Sequence, residues 1–188
     1  MSPVLSFFRS KSRQYMLVLL VIMATACCAV YGVVQMKRVA PNVEFTSLTG
    51  NKIALQDLRG KMVLINFWAT SCTFCIQEMP QMVDTYRQFK GRGLEIVAIA
   101  MSYDPPNLVL DYTQSRQLPF PVVLDVQANM AQAFGGVEAA PTTLLIDQDG
   151  RIIARFQGEL KFDALHQLLD RKLGKLPVAD LAVTGGKA

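Results

Sequence analysis

Hydrophobic positions divide this chain of 188 residues into one long apolar run near its start and several shorter runs after it. The long run covers 15–34 and contains no charged residue. At about 1.5 Å per helical residue it would span about 30 Å, the thickness of the hydrocarbon core of a bilayer. The pattern therefore predicts a transmembrane helix over 15–34, preceded by a short cytoplasmic segment at 1–14.

The shorter runs alternate between the spacing of strands and that of helices. Continuous apolar runs such as 61–68 and 94–101 are typical of strands buried on both faces, whereas 73–90 places apolar residues at helical spacing. The predicted elements are a strand at 61–68, a helix at 73–90, a strand at 94–101, a helix from Pro105 to about Gln117, a strand at 120–125, a helix at 129–136, a hairpin at 142–158 and a helix at 161–174.

This order of elements predicts one α/β domain, with helices on both faces of a central mixed sheet. A chain of this length suits one such domain plus an appendage. With its polar lead-in, which the pattern assigns to a loop, the domain is expected to cover 35–174. Residues 175–188 are expected to form a flexible tail.

Charge is distributed unevenly along the chain. Five basic residues and no acidic ones fall within 1–40, whereas the remainder carries 14 basic and 15 acidic residues. The basic excess therefore flanks the apolar run and does not indicate a nucleic-acid surface. Positive charge is slightly heavier before the run than after it, which favours a cytoplasmic N-terminus and a domain on the outer side of the membrane.

The same N-terminal segment allows two alternatives to an uncleaved anchor. The sequence ATA at 24–26 resembles a signal-peptidase site, and ATAC at 24–27 is a weak match to a lipidation motif on Cys27. The apolar run continues beyond both sites, and only a membrane anchor needs that extra length. An anchor is therefore favoured, with Cys27 and Cys28 as small apolar helix residues.

Two further cysteines, Cys72 and Cys75, lie in the segment FWATSCTFC at 67–75, between a predicted strand and a predicted helix. This spacing suits half of a metal site, a structural disulfide, or a pair that cycles between dithiol and disulfide. Cys72 is expected at the helix N-terminus, where unpaired N–H groups and the helix dipole favour a thiolate. A thiolate there can attack a substrate disulfide, and Cys75 can then resolve the mixed disulfide.

The cysteine segment, together with EAAPTT at 138–143 and QDG at 148–150, resembles the thioredoxin superfamily. More narrowly, it resembles the membrane-anchored TlpA/ResA-like thiol–disulfide oxidoreductases of bacterial envelopes, over residues 41–174. The resemblance implies a thioredoxin-like fold, with Cys72 as the attacking thiol and Cys75 as the resolving thiol. It also implies a cis peptide bond before Pro141.

The resemblance also identifies residues around the thiols. Glu78, three residues after Cys75, would be a proton acceptor that tunes the cysteine pair, or else a solvated acid favoured by the helix dipole. The backbone of Ala140 would lie beside the thiols, where a substrate segment could pair as an extra strand. The residues expected nearest to the substrate are Phe74, Ala140, Pro141 and Trp68, the last packed beneath the site.

Three features of the sequence depart from the family pattern. Ser71 stands where Trp is usual, and the pair Thr73 and Phe74 lies between the cysteines where many relatives carry Pro second. Asn66 replaces a buried acid that thioredoxin itself carries, so proton handling cannot run through that position. These departures bear on the redox potential and leave the two thiols and the Pro141 loop unchanged.

The function that the resemblance implies is a disulfide reductase for exported proteins, tethered to the bacterial inner membrane with its domain in the periplasm. Apocytochrome c is the most typical client of such relatives, and a membrane thiol donor would supply the electrons. No cofactor or metal is expected. The alternatives are a thiol oxidase or peroxide-linked thiol protein, and a copper metallochaperone using Cys72, Cys75 and a methionine. Met79 and Met82 are nevertheless more typical of core residues than of copper ligands.

Overall fold

The computed structural model describes residues 16–29 and 39–174 of the chain. They belong to two units, one ending at Val39 and one beginning at Ala40. In the first unit, residues 16–29 form helix α1. Within the described residues, no helix combines the length and the hydropathy that crossing a bilayer requires.

Three predicted segments extend beyond what the structure describes. The cytoplasmic segment 1–14 and the tail 175–188 lie outside the described residues. The predicted anchor at 15–34 coincides with α1 over 16–29, and the rest of it is also outside. These assignments therefore stay predictions.

The second unit contains the predicted alternation of strands and helices. Its elements are β1 (Glu44–Thr46), β2 (Lys52–Ala54), β3 (Met62–Trp68), α2 (Thr73–Phe89), β4 (Leu94–Ala100), α3 (Pro106–Ser115), β5 (Val122–Leu124), α4 (Asn129–Ala133), β6 (Thr142–Ile146), β7 (Ile152–Gln157) and α5 (Phe162–Leu173). Each strand and helix predicted from residue 61 onward is present, with ends that differ by a few residues. Helix α2 continues through Pro80, an exposed residue in its interior, although a proline there removes one backbone hydrogen bond of the helix.

The five-stranded sheet contains its strands in the order β5-β4-β3-β6-β7. The pairs β3–β4 and β4–β5 are parallel, whereas β6 runs antiparallel to both β3 and β7. This confirms the predicted mixed sheet. Phe67 lies opposite Thr142, so the end of β3 and the start of β6 meet at one edge of the sheet. The loops after β4 and β5 reach the same edge, because both strands run parallel to β3.

Side chains of β3 alternate between the two faces of the sheet. Leu64 and Trp68 face a core that α2, α3 and α5 complete. Ile65 and Phe67 face a second core, completed by α4 and by the hairpin of β1 and β2. Helices therefore lie on both faces, as predicted, and among the described residues the second face is covered by the short α4, by the hairpin and by the segment that follows the hairpin.

The hairpin of β1 and β2 corrects the prediction of a loop in the lead-in. Phe45 pairs with Ile53 in its register and has no exposed surface. Three-residue strands are too short to show the alternation by which a strand is identified in a sequence. The hairpin also contacts β5, because the Leu48 N–H donates a hydrogen bond to the Val122 carbonyl at 2.8 Å.

Candidate active site

The redox cysteines lie where β3 leads into α2, with Cys72 just before the helix and Cys75 in its first turn. Cys72 is the N-cap of α2 and has an extended backbone, with φ of −89° and ψ of 105°. Its Sγ accepts a hydrogen bond from the backbone N–H of Cys75 at 3.1 Å. The sulfur thus takes the place of the capping oxygen found in most helices, and it pairs with one of the N–H groups that the first turn leaves free.

Cys72 and Cys75 are joined by a disulfide, with an S–S distance of 2.23 Å and a Cα–Cα distance of 5.2 Å. Cys72 is half-buried, whereas Cys75 is only 3% exposed. An incoming disulfide can therefore reach the sulfur of Cys72 more easily than that of Cys75. This asymmetry agrees with the predicted roles, in which Cys72 attacks and Cys75 resolves.

The Ala140–Pro141 peptide bond is cis, as the family resemblance predicts. Pro141 is buried and Ala140 is half-buried. Both directly precede β6, whose first residue pairs with the end of β3. The Ala140–Pro141 segment and the loop that carries Cys72 therefore lie at the same edge of the sheet, and Cys72 and Ala140 both pack against the same core.

Asn66 replaces a buried acid with an amide that cannot release a proton near neutral pH. It is 3% exposed, and its Nδ2 donates a hydrogen bond to Thr143 Oγ1 at 3.0 Å. This bond joins β3 to β6 within the sheet, just before the end of β3 that leads to the cysteines. Any side chain that exchanges protons with the cysteines must therefore be found elsewhere.

Glu78 is a buried acid of α2, three residues after Cys75. It is 7% exposed and lies on the same face of α2 as Cys75. Its Oε1 accepts a hydrogen bond from the backbone N–H of Leu160 at 2.5 Å. Burial raises the pKa of Glu78 above its ordinary value, although the Leu160 N–H acts in the opposite direction. The prediction of a solvated acid is therefore wrong, and Glu78 is a buried carboxyl suited to take up a proton.

Trp68 packs in the core beneath the site, as predicted, and its burial rules out the direct substrate contact also expected of it. It has no exposed surface, and its ring lies 5.3 Å from that of Tyr112. Its Nε1 has no hydrogen-bond partner among the described residues. Phe74 differs sharply, because 59% of it is exposed between the two cysteines. Phe74 can therefore contact a client directly, whereas Trp68 acts only as the floor of the site.

Sequence reasoning missed the pair formed by Thr70 and Asp104. The Thr70 backbone N–H donates to Asp104 Oδ2 at 2.7 Å, and the Thr70 hydroxyl donates to Asp104 Oδ1 at 2.5 Å. Thr70 lies two residues before Cys72, and Asp104 follows β4. The only signal in the sequence is an acid before two prolines, which is a common way to begin a helix and does not indicate a partner.

The arrangement of metal-ligating side chains bears on the copper alternative. No group of three or more His, Cys, Asp or Glu residues there could hold a metal ion. Met79 and Met82 are 3% and 2% exposed and belong to the core beneath α2, as predicted. Neither methionine is therefore available as a surface copper ligand beside the cysteines.

Comparison with protein families and curated sequences agrees with this geometry. The profile of the AhpC/TSA family matches residues 36–155. The thiol-disulfide oxidoreductase ResA of Bacillus thuringiensis subsp. konkukian (strain 97-27) is 38% identical over 133 residues, which cover 70% of this chain and 75% of that protein. ResA of Bacillus subtilis (strain 168) is 35% identical over 131 residues, covering 70% of this chain and 72% of the relative.

Solved structures with the same fold include another protein of this chemistry. The crystal structure of a thiol:disulfide interchange protein of the thioredoxin family from Chlorobium tepidum TLS superposes with a TM-score of 0.67. It is 26% identical in sequence, and the match covers 73% of this chain and 97% of that one.

Proposed function

This chain belongs to the AhpC/TSA family and is a thioredoxin-like thiol–disulfide oxidoreductase, and from that premise we propose that it is a disulfide reductase for exported proteins. In this proposal its N-terminal segment anchors it in the bacterial inner membrane and its domain faces the periplasm. The observation that supports electron flow from the enzyme to its client is the environment of Cys72.

The residues next to Cys72 in the sequence are uncharged. Ser71, Thr73 and Phe74 carry no charge, and the hydrogen bond that Cys72 Sγ accepts comes from the neutral N–H of Cys75. Oxidising proteins of this fold stabilise their thiolate strongly, which makes the reduced form the stable one. Here the helix N-terminus supplies the stabilisation without an added cation, and this favours a couple that gives electrons away.

The reaction begins with the dithiol form of the pair. The Cys72 thiolate attacks one sulfur of a client disulfide, so that a bond forms between Cys72 Sγ and that sulfur. The client's S–S bond breaks, and its second sulfur leaves as a thiolate that takes up a proton. The product is a mixed disulfide between Cys72 and the client.

Resolution of the mixed disulfide uses Cys75. Its thiol loses a proton and its sulfur bonds to Cys72 Sγ, while the S–S bond between Cys72 and the client breaks. The client sulfur leaves as a thiolate that takes up a proton, so both client cysteines are then reduced. Glu78 shares the face of Cys75, and its raised pKa makes its carboxylate a stronger base than that of an exposed glutamate, so we assign it as the group that receives that proton. The enzyme is left with the Cys72–Cys75 disulfide, the state in which the structure shows it.

The client and the donor follow from the compartment. Exported proteins in an oxidising space acquire disulfides, and apocytochrome c must present reduced thiols for haem attachment, which makes it the client we propose. The oxidised enzyme then needs two electrons from a membrane dithiol donor. The exposed Phe74 and the backbone of Ala140 provide an apolar contact and a pairing edge for an extended client segment.

The equilibrium reduction potential of the Cys72–Cys75 couple tests the direction. We expect a value nearer to about −270 mV, as in thioredoxin, than to about −120 mV, as in DsbA. The protein would be equilibrated against a dithiothreitol or glutathione series, and the disulfide fraction would be read from the mass of alkylated peptides. A potential above about −180 mV would overturn the reductase and favour the thiol oxidase.

Fractionation of cells that express the full chain tests the anchor. We expect the protein in the inner-membrane fraction at its unprocessed mass, because the apolar run at 15–34 is long enough to span a bilayer. A protein that is released into the periplasm and begins near Cys27 would contradict the anchor and leave the chemistry of the domain untouched.

A further inference from the structure

Asp104 reaches across the edge of the sheet and holds Thr70 by two hydrogen bonds. Both oxygens of its carboxylate are used, at 2.7 Å to the Thr70 N–H and at 2.5 Å to the Thr70 hydroxyl. Asp104 is only 4% exposed. In a site so well shielded from water, hydrogen bonds to a carboxylate are among the strongest that a protein makes.

Asp104 is itself held in place by its own loop. Its backbone N–H donates to the Met101 carbonyl, and the Met101 N–H donates to the Trp68 carbonyl, each at 2.9 Å. Pro105 and Pro106 follow directly, and their rings fix the backbone where α3 begins. These backbone contacts therefore hold the Asp104 carboxylate in place, and the carboxylate in turn positions Thr70.

We propose that Asp104 is a positioning residue for the attacking thiol. By holding Thr70, it fixes the short loop that places Cys72 at the N-terminus of α2. When the disulfide opens, no covalent bond keeps Cys72 beside Cys75. The loop then holds the thiolate against the Cys75 N–H, and Asp104 stabilises the reactive form without touching the sulfur.

The loop itself supports this role. Besides the Thr70 contacts, the Cys72 N–H donates to the Ala69 carbonyl at 3.2 Å. Ala69 is fully buried and Thr70 half-buried, whereas Ser71 is exposed. Thr70 is thus the last residue before Cys72 that the surrounding protein holds through its side chain. The proposal needs the thiol–disulfide chemistry of the pair and is independent of the direction of electron flow.

A carboxylate could also influence Cys72 through its charge, but with the opposite sign. A negative charge disfavours a nearby thiolate, whereas a fixed loop at the helix N-terminus favours it. Asp104→Asn separates the two effects. The Asn Oδ1 can accept from the Thr70 N–H and its Nδ2 can donate to the Thr70 hydroxyl, so the contact survives without the charge.

The test measures how fast iodoacetamide alkylates Cys72 in the reduced full-length protein across a series of pH values, with the modified peptide identified by mass spectrometry. We expect Asp104→Ala and Thr70→Val to slow the reaction at neutral pH by about three- to tenfold, the loss of one or two buried hydrogen bonds. The pH at which the rate is half-maximal should rise in both. Thr70→Ser, which keeps the hydroxyl, and Asp104→Asn should stay within about twofold of the unmodified protein.

Asp125 provides a matched control at the end of the neighbouring strand β5. It is 5% exposed, and its carboxylate accepts from the N–H groups of Met130 and Ala131 at 3.0 and 2.8 Å. Asp125→Ala removes a similarly buried carboxylate that caps α4 and does not contact the Cys72 loop. It should lower the stability of the protein and leave the alkylation of Cys72 unchanged.

Three results would overturn the proposal. They are an unchanged rate in Thr70→Val, a faster reaction in Asp104→Asn, and equal slowing in Asp125→Ala and Asp104→Ala. If Asp104→Ala does not fold, Thr70→Val and its rescue in Thr70→Ser decide the matter alone. None of these outcomes alters the reduction potential of the unmodified protein, so failure here is distinguishable from failure of the reductase assignment.

Discussion

At its N-terminal end, helix α2 begins with Cys72 among uncharged residues, whereas its C-terminal end lies among charged side chains. At the N-terminal, reactive end, the Cys75 N–H donates a hydrogen bond to Cys72 Sγ, and the Thr70 N–H donates one to the Asp104 carboxylate. In the first turn of α2 there is no acidic residue. The contacts that hold this end therefore leave the sulfur without an ionic partner.

The far end of α2 is joined to the rest of the domain by ion pairs and rings. The Tyr86 hydroxyl donates to Glu95 at 3.2 Å, and Glu95 pairs with Lys61 at 2.8 Å. The Lys90 ammonium lies 5.0 Å from the centre of the Tyr86 ring. Charged groups thus stabilise the helix where no chemistry takes place.

The difference indicates how one helix can serve both stability and redox chemistry. A charge beside a thiol changes its acidity, and with it the balance between dithiol and disulfide. Ion pairs about 25 Å away, the length of a helix of 17 residues, are screened from the sulfur by solvent. At the reactive end the sulfur accepts a hydrogen bond from a neutral N–H, and the Asp104 carboxylate acts on the loop through Thr70 without contacting the sulfur.

The largest effect is expected from Cys72→Ser. We expect this variant to lose all reduction of an insulin-type disulfide in the presence of dithiothreitol, because a hydroxyl cannot attack a disulfide under these conditions. Cys75→Ser should instead accumulate a mixed disulfide with the client. Cys27→Ser, in α1, is the matched control and should keep full activity. Activity retained in Cys72→Ser would contradict the assignment of the attacking thiol.

Glu78→Gln is expected to have an intermediate effect. Loss of the proton acceptor should slow the resolving step near neutral pH by about tenfold or more, while the first attack by Cys72 continues. Gln Oε1 can still accept from the Leu160 N–H, so the loop at Leu160 stays in place. Stopped-flow measurement of the two steps with a fluorescent disulfide would show this. Equal slowing of both steps would contradict a role specific to Cys75.

The same variant has a predicted effect on stability, opposite in sign to its effect on rate. Because burial raises the pKa of Glu78, the native state holds this proton more firmly than the unfolded chain does. The stabilising contribution is fully present below about pH 4.5, the ordinary value, and is lost as the pH rises through the higher native pKa. Urea unfolding at pH 5 and pH 8 should therefore show that Glu78→Gln gains stability relative to the unmodified protein at the higher pH.

How much of the structure can be predicted from the sequence depends on how far apart along the chain the interacting residues lie. The apolar runs of β3 and β4 and the cysteine spacing are local, so the sheet and the redox pair could be predicted. The contact between Thr70 and Asp104 joins positions 34 apart, and nothing in either segment indicates the other. The burial of Glu78 likewise depends on Leu160, which is 82 positions away. The three-residue strands β1 and β2 were missed because their burial comes from tertiary contacts.

Arg92→Met should have the smallest effect on the chemistry, because it removes contacts only near the C-terminal end of α2. The Arg92 side chain is 9% exposed, pairs with Asp170 at 2.8 Å and lies 4.6 Å from the Phe89 ring. Its guanidinium also donates to the Gly174 carbonyl. Methionine keeps the apolar stem and removes the charge, so the free energy of unfolding should fall by about 1–2 kcal/mol.

The reduction potential and the alkylation rate of Cys72 should not change in Arg92→Met, since the loss is confined to the end of α2 farthest from the sulfur. Arg87→Met, in the last turn of α2, is the matched control. Arg87 is 69% exposed and lies 3.9 Å from Asp84, so its loss should change neither stability nor potential measurably. If the reduction potential shifts in Arg92→Met and not in Arg87→Met, the charged groups at the C-terminal end of α2 influence the Cys72 sulfur at the other end. The division between a stabilising end and a reactive end would then be wrong.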